Sequence, residues 1–158
     1  MKKVLFTSAF AAVFLYSNVL QAQVKDLIGT WSLISSDIVK DGSKIETFGP
    51  NPMGSLILTG EGHFALIFLR RDLPKVASGN RLVTTPEEDK AIAGGLVSSY
   101  GTYSADSKFI TLYITGATFA NWTGADQKRA YPLTGDTLAY PSPGTTAVPT
   151  LVTLKREK

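Results

Sequence analysis

The sequence contains no cysteine and a single histidine, His63. Without thiols no disulfide can form, no lipid can be attached through an N-terminal cysteine, and no thiolate or multi-His metal centre can be built. Charged residues make up only 18% of the chain, and no stretch gathers the Lys and Arg that would neutralise a phosphate backbone, so nucleic acid is not expected as a partner. No Gly-x-Ser-x-Gly occurs and His63 has no evident acidic partner, which argues against a hydrolase triad. Gly60-Glu-Gly62 is a tight turn and not a phosphate loop, because no helix follows it. Neither a metal nor a cofactor is expected.

What is present begins with a leader. Met1-Lys-Lys3 precedes an almost wholly apolar or small run, Val4 to Val19, and Leu20-Gln-Ala22 ends on a small residue. This reads as a signal peptide over residues 1–22, giving an exported, periplasmic or secreted protein. Thr7, Ser8, Ser17 and Asn18 interrupt the run, leaving it short for a bilayer span, so no membrane anchor is expected after cleavage. The remainder, residues 23–158, is one ordinary domain with enough chain for a full core. Loss of Lys2 and Lys3 leaves 14 basic against 13 acidic side chains, so the net charge drops from +3 to about +1.

Within that domain the pattern is of short strands separated by turn signals. The first strand carries Gly29 and Trp31, a Gly that permits close backbone approach and a large apolar body two positions on. It is expected to run to about Val39, with a hairpin turn at Asp41-Gly42 and a return over Lys44 to Phe48. Ser55 to Thr59 and His63 to Arg70 form a second hairpin about Gly60-Glu-Gly62. Both parities of the latter strand are largely apolar, which predicts burial on both faces. The expected cover is a helix starting at Thr85-Pro-Glu-Glu-Asp89, with Thr85 as cap and Ile92, Leu96 and Tyr100 as its apolar stripe. Strands then follow over Thr102 to Ala105, Phe109 to Thr115, Ala125 to Leu133, Thr137 to Tyr140 and Val148 to Arg156. The sum is an all-β, antiparallel up-and-down β-barrel of about 8–9 strands with one short helix, since closure removes exposed edges.

Gly29-Thr-Trp31, Phe48-Gly-Pro-Asn-Pro52, Gly60-Glu-Gly-His63, Thr85-Pro-Glu-Glu88, Tyr100-Gly-Thr-Tyr103, Asn121-Trp122 and Leu151-Val-Thr-Leu-Lys-Arg156 together resemble the lipocalin-like domain family of calycin-type barrels. The resemblance covers Leu27 to Arg156. It implies a barrel with a helix packed against it and a cavity inside, and it implies that Arg156 on the last strand stacks over Trp31. The chain departs from the family at Thr111-Leu-Tyr-Ile114, where relatives carry polar, His-like residues.

A small hydrophobic or amphipathic molecule held in the barrel is the expected partner, bound by His63, Tyr100, Tyr103, Tyr113, Asn121, Trp122, Arg129 and Tyr131. Ring bodies with one polar tip line an apolar pocket and orient its contents. Arg129 shares a face with Gln127 and Tyr131; inward it would be a buried cation wanting an anion, outward a solvated charge. Trp122 either rims the cavity mouth or packs outside. His63 is either a polar contact in the cavity or a hairpin residue bonded locally. The alternative function is a cofactor-free isomerase or cyclase using His63, Tyr103 and Arg129 as polar participants. A barrel packed solid by its own side chains would leave a structural or interaction protein. Gly29, Trp31 and Arg156 have structural roles in every reading.

Overall fold

The first strand, β1 (Gly29–Lys40), buries Trp31 and Leu33 and then Ser36, a change of parity. The cause is a bulge: pairing with the last strand slips between Leu33 and Ser35, which turns Ile34 outward and brings Ser36 inward. Asp41 and Gly42 both have positive φ, 51° and 74°, the two-residue geometry that suits a twisted hairpin, and β2 (Ser43–Glu46) returns beside β1. The computed structural model describes residues 25–142 and 148–158, so the leader lies outside the described residues.

After β2 come β3 (Met53–Leu58), β4 (His63–Leu69), α1 (Pro86–Gly95), β5 (Leu96–Ala105), β6 (Phe109–Ala117), a 3-10 turn at Ala120–Trp122, β7 (Asp126–Ala130), β8 (Leu133–Thr134), β9 (Thr137–Ser142) and β10 (Thr150–Arg156). Strand order is β7-β6-β5-β4-β3-β1-β10-β9-β8, with β2 an appendage of β1 and every pairing antiparallel. This is the all-β, up-and-down architecture the strand pattern predicts.

The two ends of the sheet are consecutive in sequence. One strand was expected over Ala125 to Leu133; instead it breaks into β7 and β8 at Tyr131-Pro132. The Tyr131 amide donates to Lys108 on the β6 side, whereas the Pro132 carbonyl accepts from Ala139 in β9. Proline has no N–H with which to continue the first ladder, so the chain changes partners there. The sheet thereby curls round, and β7 and β9 face each other across a seam with no ladder between them among the described residues.

Strand β4 alternates cleanly. Phe64, Leu66 and Phe68 are buried while His63, Ala65 and Ile67 are exposed, Ile67 to 48%. The expectation of burial on both faces is therefore corrected, and so is the helix that was to provide it. α1 ends at Gly95 and passes without a loop into β5, so Leu96 and Tyr100 belong to a strand and not to a helical stripe. The helix lines the cavity with Ala93 and Gly94, and the outer face of β4 stays exposed. Its start is built by Thr85, whose hydroxyl accepts from the Glu88 amide at 3.2 Å while Glu88 accepts from the Thr85 amide at 2.9 Å.

The core fills one end of the barrel. Leu27, Trp31, Leu58, Leu138 and Leu154 have essentially no solvent exposure there. β5 and β6 approach closely at a second bulge, where a Cβ on Gly101 would stand 2.0 Å from the Tyr113 carbonyl oxygen.

Candidate functional site

The end opposite Trp31 is hollow. Its cavity of about 370 Å³ runs from the mouth, beneath Ala93 and Gly94 of α1, down to the inner faces of β1, β4, β7 and β10. Phe48 and Phe68 form one wall, packed edge to face with ring centres 6.4 Å apart. Phe119 and Trp122 form the rim, also edge to face at 5.7 Å. Leu66, Val97 and Val152 supply aliphatic surface. One polar patch is the buried Ser36, whose carbonyl accepts from the Thr47 hydroxyl at 2.9 Å with the two hydroxyls 2.7 Å apart.

The other polar feature is Arg129, which lines the cavity although its residue is only 3% exposed. β7 alternates, burying Gln127 and Arg129 and exposing Asp126, Lys128 and Ala130. The guanidinium donates through Nη2 to the Gln127 side-chain oxygen and lies 4.9 Å from the centre of the Tyr140 ring, across the seam. Its Nε is buried without a hydrogen-bond partner, and so is the Tyr140 hydroxyl. No carboxylate forms an ion pair with Arg129 among the described residues. Burial accordingly pushes the Arg129 pKa below its ordinary value, an effect the adjacent Tyr140 opposes. Burial likewise pushes the Tyr140 hydroxyl up, with Arg129 pulling the other way.

A buried cation facing an apolar space with only neutral partners is costly. Such an arrangement can receive an elongated, mainly hydrophobic molecule and present it with donors in excess of acceptors.

The family model of the lipocalin-like domain matches residues 28–151. The chain belongs to the lipocalin-like domain family. No curated protein matches it.

In this lipocalin-like barrel the residues singled out by sequence scatter. Trp122 and Arg129 reach the cavity. His63, Tyr100 and Asn121 are exposed, and Tyr113, exposed as well, shares a hydrogen bond of 3.0 Å with Ser104. Tyr103 is half-buried, and its hydroxyl donates to the Thr59 carbonyl at 2.8 Å, tying β5 to the β3–β4 turn. Tyr131 is buried beside the opposite end and donates to the Asp106 carbonyl. His63, Tyr103 and Arg129 therefore do not converge on one space. Sequence reasoning missed Tyr140, Ser36 and the Phe48–Phe68 wall; the Leu138/Tyr140 parity in β9 was the available signal for Tyr140.

At the filled end, Arg156 and Trp31 are directly paired across β1 and β10. The guanidinium lies 4.2 Å from the indole centre, and the indole N–H donates to the Leu27 carbonyl at 2.9 Å. A larger open cleft of about 630 Å³ borders this region between Lys25 and the β8–β9 turn. Its Arg156 is committed to the carbonyls of Ile28 and Asp26, so the cleft offers no free cation of that kind.

Proposed function

We propose that this lipocalin-like protein is exported and binds a small, largely hydrophobic molecule inside the barrel. The observation that carries the reading is the cavity itself: about 370 Å³, walled by Phe48, Phe68 and Trp122 and open at the α1 end. That volume falls in the range of about 300–1,000 Å³ common among small-molecule sites, and mainly apolar walls with a few placed polar groups are what such sites share. The signal-like residues 1–22 support export. The arrangement of His63, Tyr103 and Arg129 favours binding over a confined reaction, because the three do not share one space.

Titration with the neutral dye N-phenylnaphthylamine tests the binding. A saturable, single-site rise in dye fluorescence with quenching of Trp122 emission is expected. A flat titration removes the reading. The intact mass of the chain isolated from its host tests export: loss of residues 1–22 is expected, and a full-length product argues against it.

A further inference from the structure

We infer that the occupant of the cavity is a monoanionic amphiphile whose carboxylate sits on Arg129 while its apolar body extends past Phe48 and Phe68 to the Trp122 rim. This rests on the binding reading above and specifies its ligand. Arg129 carries five N–H donors and no acceptor. Among the described residues it donates to the Gln127 oxygen, lies against the Tyr140 ring and has no ion pair. Its Nε is buried and unpaired, and the residue lines the space a ligand would enter.

A neutral alcohol or amide would leave that charge uncompensated. An ammonium group would add repulsion. A planar carboxylate matches the guanidinium fork in both charge and shape. A phosphate dianion fits less well, since one guanidinium cancels one unit and leaves the second buried.

The test is displacement of N-phenylnaphthylamine at low ionic strength by decanoate, decanol and decylammonium, which share one chain and differ in the head. Decanoate should displace the dye at a concentration at least about tenfold lower than decanol, the size expected of a charge-assisted hydrogen bond. Decylammonium should be the poorest of the three. In Arg129→Met the decanoate-to-decanol ratio should collapse toward unity, and in Arg129→Lys it should survive in part. Equal displacement by decanoate and decanol in the unmodified protein, a result that needs no variant, overturns the inference and leaves the binding reading standing. So does a decanoate preference that persists in Arg129→Met. Failure of the dye to bind at all overturns the binding reading, and this inference with it.

Discussion

The Arg156 guanidinium stacks 4.2 Å from the centre of the Trp31 indole while donating to the backbone carbonyl of Ile28 at 2.9 Å and to that of Asp26. One side chain thus covers the ring that plugs the barrel and satisfies carbonyls just before β1. Arg156→Ala removes the cation–π contact and leaves those carbonyls without this donor, so a loss of roughly 2–4 kcal/mol in urea denaturation is expected. Arg156→Lys should recover only part of it, since an ammonium can neither stack flat nor reach both carbonyls. A change below about 0.5 kcal/mol, within the range of an ordinary surface substitution, would show that the plug is held by β1–β10 pairing alone.

Gly29 makes the same stack possible. Its φ is 140°, a region closed to most side chains, and a Cβ there would lie 3.0 Å from Arg156 Nη1. Gly29→Ala should cost about 1–3 kcal/mol from backbone strain, with further loss if the guanidinium is pushed off the indole. The two contributions separate in the double variant with Arg156→Ala: if displacement matters, the costs are less than additive. Fully additive costs would leave strain as the sole cause.

Much of this architecture is legible in the chain, and the failures have definite causes. The Asp41-Gly42 turn, the Gly60–Gly62 hairpin and the Thr85 cap are local devices whose residues dictate the backbone, so they can be read directly. The outward Ala65 and Ile67 misled because strand β4 carries apolar residues on its solvent face, which hides alternation. Leu96 and Tyr100 fit a four-residue spacing by coincidence; the run Leu96-Val-Ser-Ser-Tyr100 follows two glycines that end the helix. Parity of β7 cannot be decided from composition, because Gln127 and Arg129 on one face are as polar as Asp126 and Lys128 on the other. Ser36 enters the cavity only because of the bulge at Leu33/Ser35, which depends on tertiary pairing.

Glu88 gives the helix end a pH dependence. Its carboxylate accepts from the Ala77 amide at 2.8 Å and from the Thr85 amide at 2.9 Å, and these bonds hold its pKa below the ordinary value of 4.5. A carboxyl depressed in the folded state adds stability that is complete above its unfolded value and fades as pH falls toward the folded one. Acid should therefore loosen the 77–88 segment below about pH 4.5. Amide hydrogen exchange at Ala77 and Thr85 measures this, compared with rates corrected for intrinsic pH dependence. In Glu88→Gln the transition should vanish; if it persists unchanged, another carboxyl is responsible.

Arg129 offers the most direct separation of binding from folding. It is buried, lacks an ion pair among the described residues, and leaves Nε without a partner, so the folded protein bears a desolvation cost that the Gln127 hydrogen bond and the Tyr140 ring offset only in part. Residues kept for packing alone would not carry that penalty, because an apolar side chain of similar length fills the same space at lower cost. Arg129→Met should accordingly raise the unfolding free energy of the ligand-free protein by about 1–3 kcal/mol in denaturant titration. Addition of decanoate should then stabilise the unmodified protein, by mass action on the folded state, much more than the variant. A variant less stable than its parent would mean that Gln127 and Tyr140 already compensate the charge, and the cation would then be part of the seam between β7 and β9 and not a seat for an anion.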